Sequence, residues 1–161
     1  MMMYDHRGGT TDKQFQETMR DFIASHMNQD ISTNDFKLAI EKHILPGMNI
    51  DKNGKMDWFF DEYVYGTDLP SYKMTYSLVP GEGGKTNFVA KIEQSGVSKD
   101  FVMLVPIYID MGKGWAKLGS AVMAGNNTAD IKDLKLGAVP KRMSICAMND
   151  VLATNIENSK Q

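Results

Sequence analysis

The chain has 161 residues with a formal net charge of −2, and 42% of them are hydrophobic and 24% charged. This composition is ordinary for a globular protein and argues against disorder over most of the chain. The 18 basic residues show no basic stripe, so the sequence predicts no nucleic-acid partner. No uncharged run approaches the roughly 20 apolar residues that cross a bilayer, which predicts no transmembrane segment. No basic-then-apolar leader is visible either, and the localisation is left open.

Apolar residues recur with helical spacing over residues 1–69, which predicts a segment of about three helices. The first helix is expected to start at a capping-box pattern, Thr11 to Gln14. Its apolar face holds Phe15, Met19, Phe22, Ile23 and Met27. The second is expected to begin at Ser32 or Thr33 and to end at Pro46. The third runs from about Met56 to Tyr65, where Gly66 stops it.

After Pro70 the apolar pattern changes to two-residue alternation. Tyr72, Met74, Tyr76 and Leu78 alternate with polar residues and predict a half-buried strand. Further strands, separated by Gly-rich or Asn-rich turns, are expected at Asn87–Glu93, Phe101–Asp110, Ala116–Met123, Ile131–Leu136 and Lys141–Met148. Strands without helices between them indicate an antiparallel, immunoglobulin-like β-sandwich over 70–152, with a flexible tail over 153–161. The predicted fold class is therefore α+β.

The segment between the second and third helices has the spacing of a calcium-binding loop. The candidate oxygen ligands are Asn49, Asp51, Asn53, Lys55 (through its carbonyl) and Asp57. Gly54 falls where such loops require glycine, but Phe60 replaces the bidentate glutamate that normally completes the shell. We therefore predict a metal-free turn, with calcium binding as the weaker alternative.

The sequence lacks the patterns of a hydrolytic site. His6, His26 and His43 never lie four residues apart, and no His-Glu-x-x-His motif occurs. His26 and His43 fall near predicted helix ends, where a capping or surface role is expected. The single cysteine, Cys146, lies in an apolar run and is expected to be a buried, inert thiol. We predict no catalytic residue, no metal ligand and no cofactor in this chain.

The run Lys55 to Pro70, which contains Trp58-Phe59-Phe60, resembles a family signature. It is similar to the end of the helical region after the active site in zinc aminopeptidases of the alanyl aminopeptidase (aminopeptidase N-like, gluzincin) family. In that family a comparable aromatic stretch closes a helix before a β-sandwich. Phe15–Ile23 and Ser32–His43 resemble the preceding helices, and Glu93–Val97 followed by Phe101–Pro106 resembles paired strands of the sandwich. The resemblance covers roughly Asp12 to Asp150.

The resemblance implies a non-catalytic C-terminal portion of a zinc aminopeptidase, which packs against and supports the catalytic domain. The family's zinc ligands, catalytic tyrosine and substrate-amine glutamates would all precede Met1, so none is carried onto a residue here. Zinc, peptide substrates and a catalytic domain in the same polypeptide are implied for the parent, an exported or cytoplasmic bacterial enzyme. The alternative is a stand-alone β-sandwich module that binds a peptide or glycan through exposed aromatics such as Tyr108 and Trp115.

Overall fold

A computed structural model describes residues 12–161 of the chain. In that range, three helices are followed by seven strands in two sheets, which confirms the predicted α+β order and a sandwich-like arrangement. The chain divides into two compact units, one ending at Gly66 and one comprising Thr67–Gln161. We call them the helical unit and the sandwich unit.

The helical unit contains α1 (Lys13–Ser25), α2 (Thr33–Lys42) and α3 (Asp57–Phe60), and α3 continues as a π-helical turn over Asp61–Tyr65. Helices α1 and α2 meet where Phe22 packs edge-on against Phe36, with ring centroids 5.2 Å apart. This apolar contact fixes the helix pair, because neither short helix is stable alone in water.

The two helix starts differ from one another. The Oγ of Ser32 accepts a hydrogen bond from the Asp35 amide at 3.2 Å, and the Asp35 carboxylate accepts one from the Ser32 amide at 2.8 Å. This reciprocal pair is a capping box, and it fixes the start of α2 where the sequence predicted it. The capping box predicted for α1 involves Thr11, which lies outside the described residues; α1 begins after Asp12, whose side chain makes no capping hydrogen bond.

The sandwich unit contains two sheets, with strand orders β5-β2-β1-β7 and β4-β3-β6. The strands are β1 (Ser71–Pro80), β2 (Thr86–Ser95), β3 (Val102–Asp110), β4 (Trp115–Ala124), β5 (Asn127–Leu136), β6 (Arg142–Ile145) and β7 (Asn155–Lys160). Neighbouring strands are antiparallel except β1 and β7, which run parallel.

The core of the sandwich follows from alternation along its strands. In β1 the predicted inward residues Tyr72, Met74 and Tyr76 are buried, whereas Leu78 is only partly so. Two polar side chains enter this core, and consecutive hydrogen bonds pair their polar groups. The Tyr72 hydroxyl donates to Gln94 Oε1, and Gln94 Nε2 donates to the Gly125 carbonyl, both at 2.8 Å. Such pairing removes the penalty that a buried amide without partners would carry.

Residues 153–161, predicted as a flexible tail, instead contain strand β7. The sequence Asn155–Lys160 is mostly polar and exposed, so it carries no alternation signal. Main-chain pairing with β1 holds the strand, and the Asn158 side chain accepts a hydrogen bond from the Ile145 amide at 2.9 Å. The prediction failed because backbone pairing, which is invisible in side-chain patterns, orders this segment.

Candidate functional site

The predicted calcium-loop residues lie between α2 and α3, where backbone amides already use two of the candidate oxygens. Asn49 Oδ1 accepts a hydrogen bond from the Gly54 amide at 2.9 Å, and Asn53 Oδ1 accepts one from the Lys55 amide at 2.8 Å. The Asn53 bond is the two-residue side-chain turn that Asn favours, and the Asn49 bond spans five residues and closes the loop. Asp51 is exposed at the tip of the loop.

Glu41 of α2 fastens this loop to the helix, a role that the sequence did not reveal. Its side chain is 7% exposed, and its two oxygens accept from the Met56 amide at 3.0 Å and from Lys55 Nζ at 3.1 Å. Lys37 Nζ lies 4.0 Å from Glu41 Oε1 and forms an ion pair with Asp57, the last of the candidate calcium ligands along the chain. The hydrogen bond to Asp57 raises the pKa of Lys37 above its ordinary 10.5. The Lys37 ammonium therefore neutralises Asp57, one of the two carboxylates among the candidate calcium ligands.

The described histidines end helices. His26 and His43 are the C-cap residues of α1 and α2, which confirms their predicted position. His43 Nε2 lies 2.9 Å from the Asp21 carboxylate and links the two helices, while His26 Nδ1 lies 3.0 Å from the Phe22 carbonyl. His6 lies outside the described residues. Residues 12–161 bring together no group of three or more His, Cys, Asp or Glu side chains that could hold a metal.

Asp110, at the end of β3, is the most heavily bonded carboxylate of the sandwich unit. One oxygen accepts from the Gly112 and Gly114 amides at 2.7 and 3.0 Å, and the other accepts from Arg142 Nε and Nη2 at 3.0 and 2.8 Å. The Arg142 guanidinium lies 4.5 Å from the ring centroid of Trp115. These bonds, led by Arg142, hold the pKa of Asp110 below its ordinary value. The cluster joins the β3–β4 turn to β6, and its role is structural.

A second polar cluster surrounds Asp150. The Tyr108 hydroxyl donates to Asp150 Oδ2 at 2.5 Å, whereas the buried Oδ1 accepts no hydrogen bond from residues 12–161. Burial, followed by the charge of Asp150, raises the pKa of the Cys146 thiol to about 12. Burial lowers the pKa of Lys117, which lies opposite Tyr108 in β4. A thiol with such a pKa is protonated at neutral pH and is no nucleophile.

The helical unit leaves a set of large apolar side chains exposed. Phe15, Ile23, Met27, Ile31 and Leu38 are between 44% and 66% exposed. Single exposed apolar residues are common, but five on two short helices and their connection are apolar area that a partner protein could cover.

Comparison of the chain with protein-family models, curated proteins and solved structures finds no match. None of the helices described between residues 12 and 161 has the length and hydrophobicity needed to cross a membrane.

Proposed function

We propose that this chain is the non-catalytic C-terminal portion of a zinc-dependent aminopeptidase. Its role is to pack against and support the catalytic domain, which removes N-terminal residues from peptides. The proposal rests on the resemblance of the Lys55–Pro70 run, and the observation that carries it furthest is the exposed apolar surface of the helical unit.

The order of the elements supports this proposal. The resemblance implies a helical tail followed by a β-sandwich, and the chain has that order. The aromatic run itself lies in a helix whose Trp58 and Phe60 are 6% and 2% exposed. The exposed apolar side chains of the helical unit lie on α1, on α2, between them and at Val64 and Tyr65 of the π-helical turn. We assign the contact with the catalytic domain to the set on α1, on α2 and between them.

The alternative of a peptide-binding or glycan-binding module depends on aromatic side chains displayed by the sandwich. Tyr108 is 3% exposed and its hydroxyl is occupied by Asp150. Trp115 is covered on one side by the Arg142 guanidinium. Tyr108 is therefore not available for stacking and Trp115 has one face already covered, so we do not advance this alternative.

The test is complementation. The chain is mixed with a separately expressed catalytic portion, taken from the same gene upstream and containing a His-Glu-x-x-His motif. The chain alone is expected to hydrolyse no aminoacyl-anilide, with or without zinc, and the mixture is expected to form a complex of higher activity or thermal stability than the catalytic portion alone. An upstream reading frame without that motif would refute the proposal.

Matched variants in α1 and just after its C-terminus identify the contact surface. Ile23→Asp and Met27→Asp place a charge at side chains that are 58% and 66% exposed, so the fold should survive while the complex weakens. Ala24→Asp, at an exposed position on the same helix, is the control for adding a charge. Equal weakening by all three variants would point to a general effect of charge and would contradict the assignment of the surface.

A further inference from the structure

Strand β5 forms an edge of the four-stranded sheet. Its single strand neighbour in the described part of the chain is β2, so the backbone groups on its other side face outward. An exposed edge is a template for pairing with a further strand, and proteins commonly protect it with charges or bulges. What pairs with this edge therefore depends on the side chains along it.

The side chains along β5 repeat in triplets of acid, apolar residue and base. The run reads Asp130-Ile131-Lys132-Asp133-Leu134-Lys135. Read in the opposite direction, each triplet runs base, apolar residue, acid, so an antiparallel copy places a base opposite every acid. In an antiparallel pairing of two copies, Asp130 lies opposite Lys135, Ile131 opposite Leu134, and Lys132 opposite Asp133. Opposite charges and apolar pairs in direct cross-strand positions are stabilising.

A β-bulge makes this register compatible with the faces of the sheet. Lys132 and Asp133 together lie opposite the single residue Val89, and Asp133 has a φ of 58°. The extra residue shifts the alternation, so that Ile131 and Leu134 pair with the buried Ala90 and Phe88 of β2. Both therefore lie on the inner face of the sheet, as a symmetric pair must.

The outer face obeys the same symmetry. Asp130 and Lys135 pair with Lys91 and Asn87, which alternate with the buried residues of β2, so both lie on the outer face. Without the bulge, two residues five positions apart would lie on opposite faces and could not meet across a two-fold axis. Leu134 is 39% exposed, and Ile131 of the other copy would cover it.

From this pattern we infer that two copies of the chain associate by antiparallel pairing of β5 with β5 about a two-fold axis at Lys132–Asp133. The pairing joins the two four-stranded sheets into one continuous sheet. The bulge limits the regular ladder to the residues on either side of the axis, so the association is weak and depends on salt. The register of the pairing is set by ion pairs between exposed side chains, and not by burial of a large area.

Sedimentation equilibrium of the full chain tests the inference, at concentrations from about 1 μM to about 1 mM, the range of weak interfaces. Asp130→Lys places lysine opposite lysine at both symmetric positions, and the dimer dissociation constant should rise at least about tenfold, or about 1.4 kcal/mol. The double variant Asp130→Lys/Lys135→Asp restores opposite charges at both positions and should return the constant to within about threefold of the unmodified value. Glu157→Lys, on the opposite edge strand β7, is the control and should leave the dimer dissociation constant unchanged.

Hydrogen exchange of the unmodified chain gives a second measurement, which needs no variant to fold. Amides of β5 should exchange more slowly at high than at low concentration, while those of β7 exchange equally at both. A chain that stays monomeric up to about 1 mM overturns the inference, as does a dimer that Asp130→Lys leaves unchanged or that the double variant fails to restore.

Discussion

Trp58 is the side chain whose removal should damage the helical unit most. It is 6% exposed, and its indole Nε1 donates to the Met48 carbonyl at 3.0 Å. A tryptophan buries up to about 250 Å², which at about 25 cal/mol per Å² corresponds to an upper limit of about 6 kcal/mol. Because the site relaxes partly and Cβ remains, we expect Trp58→Ala to lower the free energy of unfolding by about 4 kcal/mol. That is a large fraction of the roughly 5–15 kcal/mol typical of a domain.

Trp58→Phe separates the hydrogen bond from the packing. Phenylalanine keeps most of the buried ring but leaves the Met48 carbonyl without its donor, so we expect a loss of about 1–3 kcal/mol. Urea unfolding, followed by far-ultraviolet circular dichroism at the helix band, measures both variants. Trp115→Phe, in the sandwich unit, is the control and should not change the urea concentration at which the helix signal is lost. A loss of less than about 1 kcal/mol for Trp58→Ala would refute the reasoning, because it would mean that the indole contributes little buried contact.

Three further predictions concern titration, reactivity and metal binding. Because Asp110 has a lowered pKa, its carboxylate stabilises the sandwich above its ordinary pKa of 3.8 and ceases to do so as the pH falls through the lowered value. Asp110→Asn should therefore unfold at less urea at neutral pH but lose less stability than the unmodified chain between about pH 5 and about pH 2, and equal losses would contradict this. Cys146 should resist iodoacetamide at about pH 8 until urea unfolds the chain, and labelling of the native chain at the rate of a free thiol would contradict its burial. Calorimetric titration of the Asn49–Asp57 loop should give no saturable calcium binding tighter than about 1 mM, and such binding, abolished by Asp51→Ala, would reverse the interpretation.

The sequence predicted those elements whose signal is local. Periodicity located the helices, alternation located the first strands, and the Ser32 pattern marked the start of α2. Strand β7 was missed because its polar residues carry no alternation and its order comes from pairing with β1.

The polar clusters could not be predicted for a related reason. Glu41 bonds to residues 14 and 15 positions later, and Asp110 to one 32 positions later, and no local pattern records such distances. Spacing did identify the oxygens of the Asn49–Asp57 loop. It could not identify the two amides and the one lysine that bond to them, although Lys37 and Glu41, one helical turn apart, were a detectable hint of an ion pair.

The parallel pairing of β1 with β7 has a consequence for how the protein is made. The Thr154 amide and hydroxyl both donate hydrogen bonds to the Pro70 carbonyl. The native contacts at the start of β1 therefore form only after a residue 84 positions downstream has been synthesised. On the ribosome, α1 and α2 can pair as soon as both have emerged, because their contacts are close in sequence. The four-stranded sheet cannot be completed until residue 160 is outside the exit tunnel. During that interval β1 has an open edge, and this is when the nascent chain is most exposed to mispairing and most in need of a chaperone.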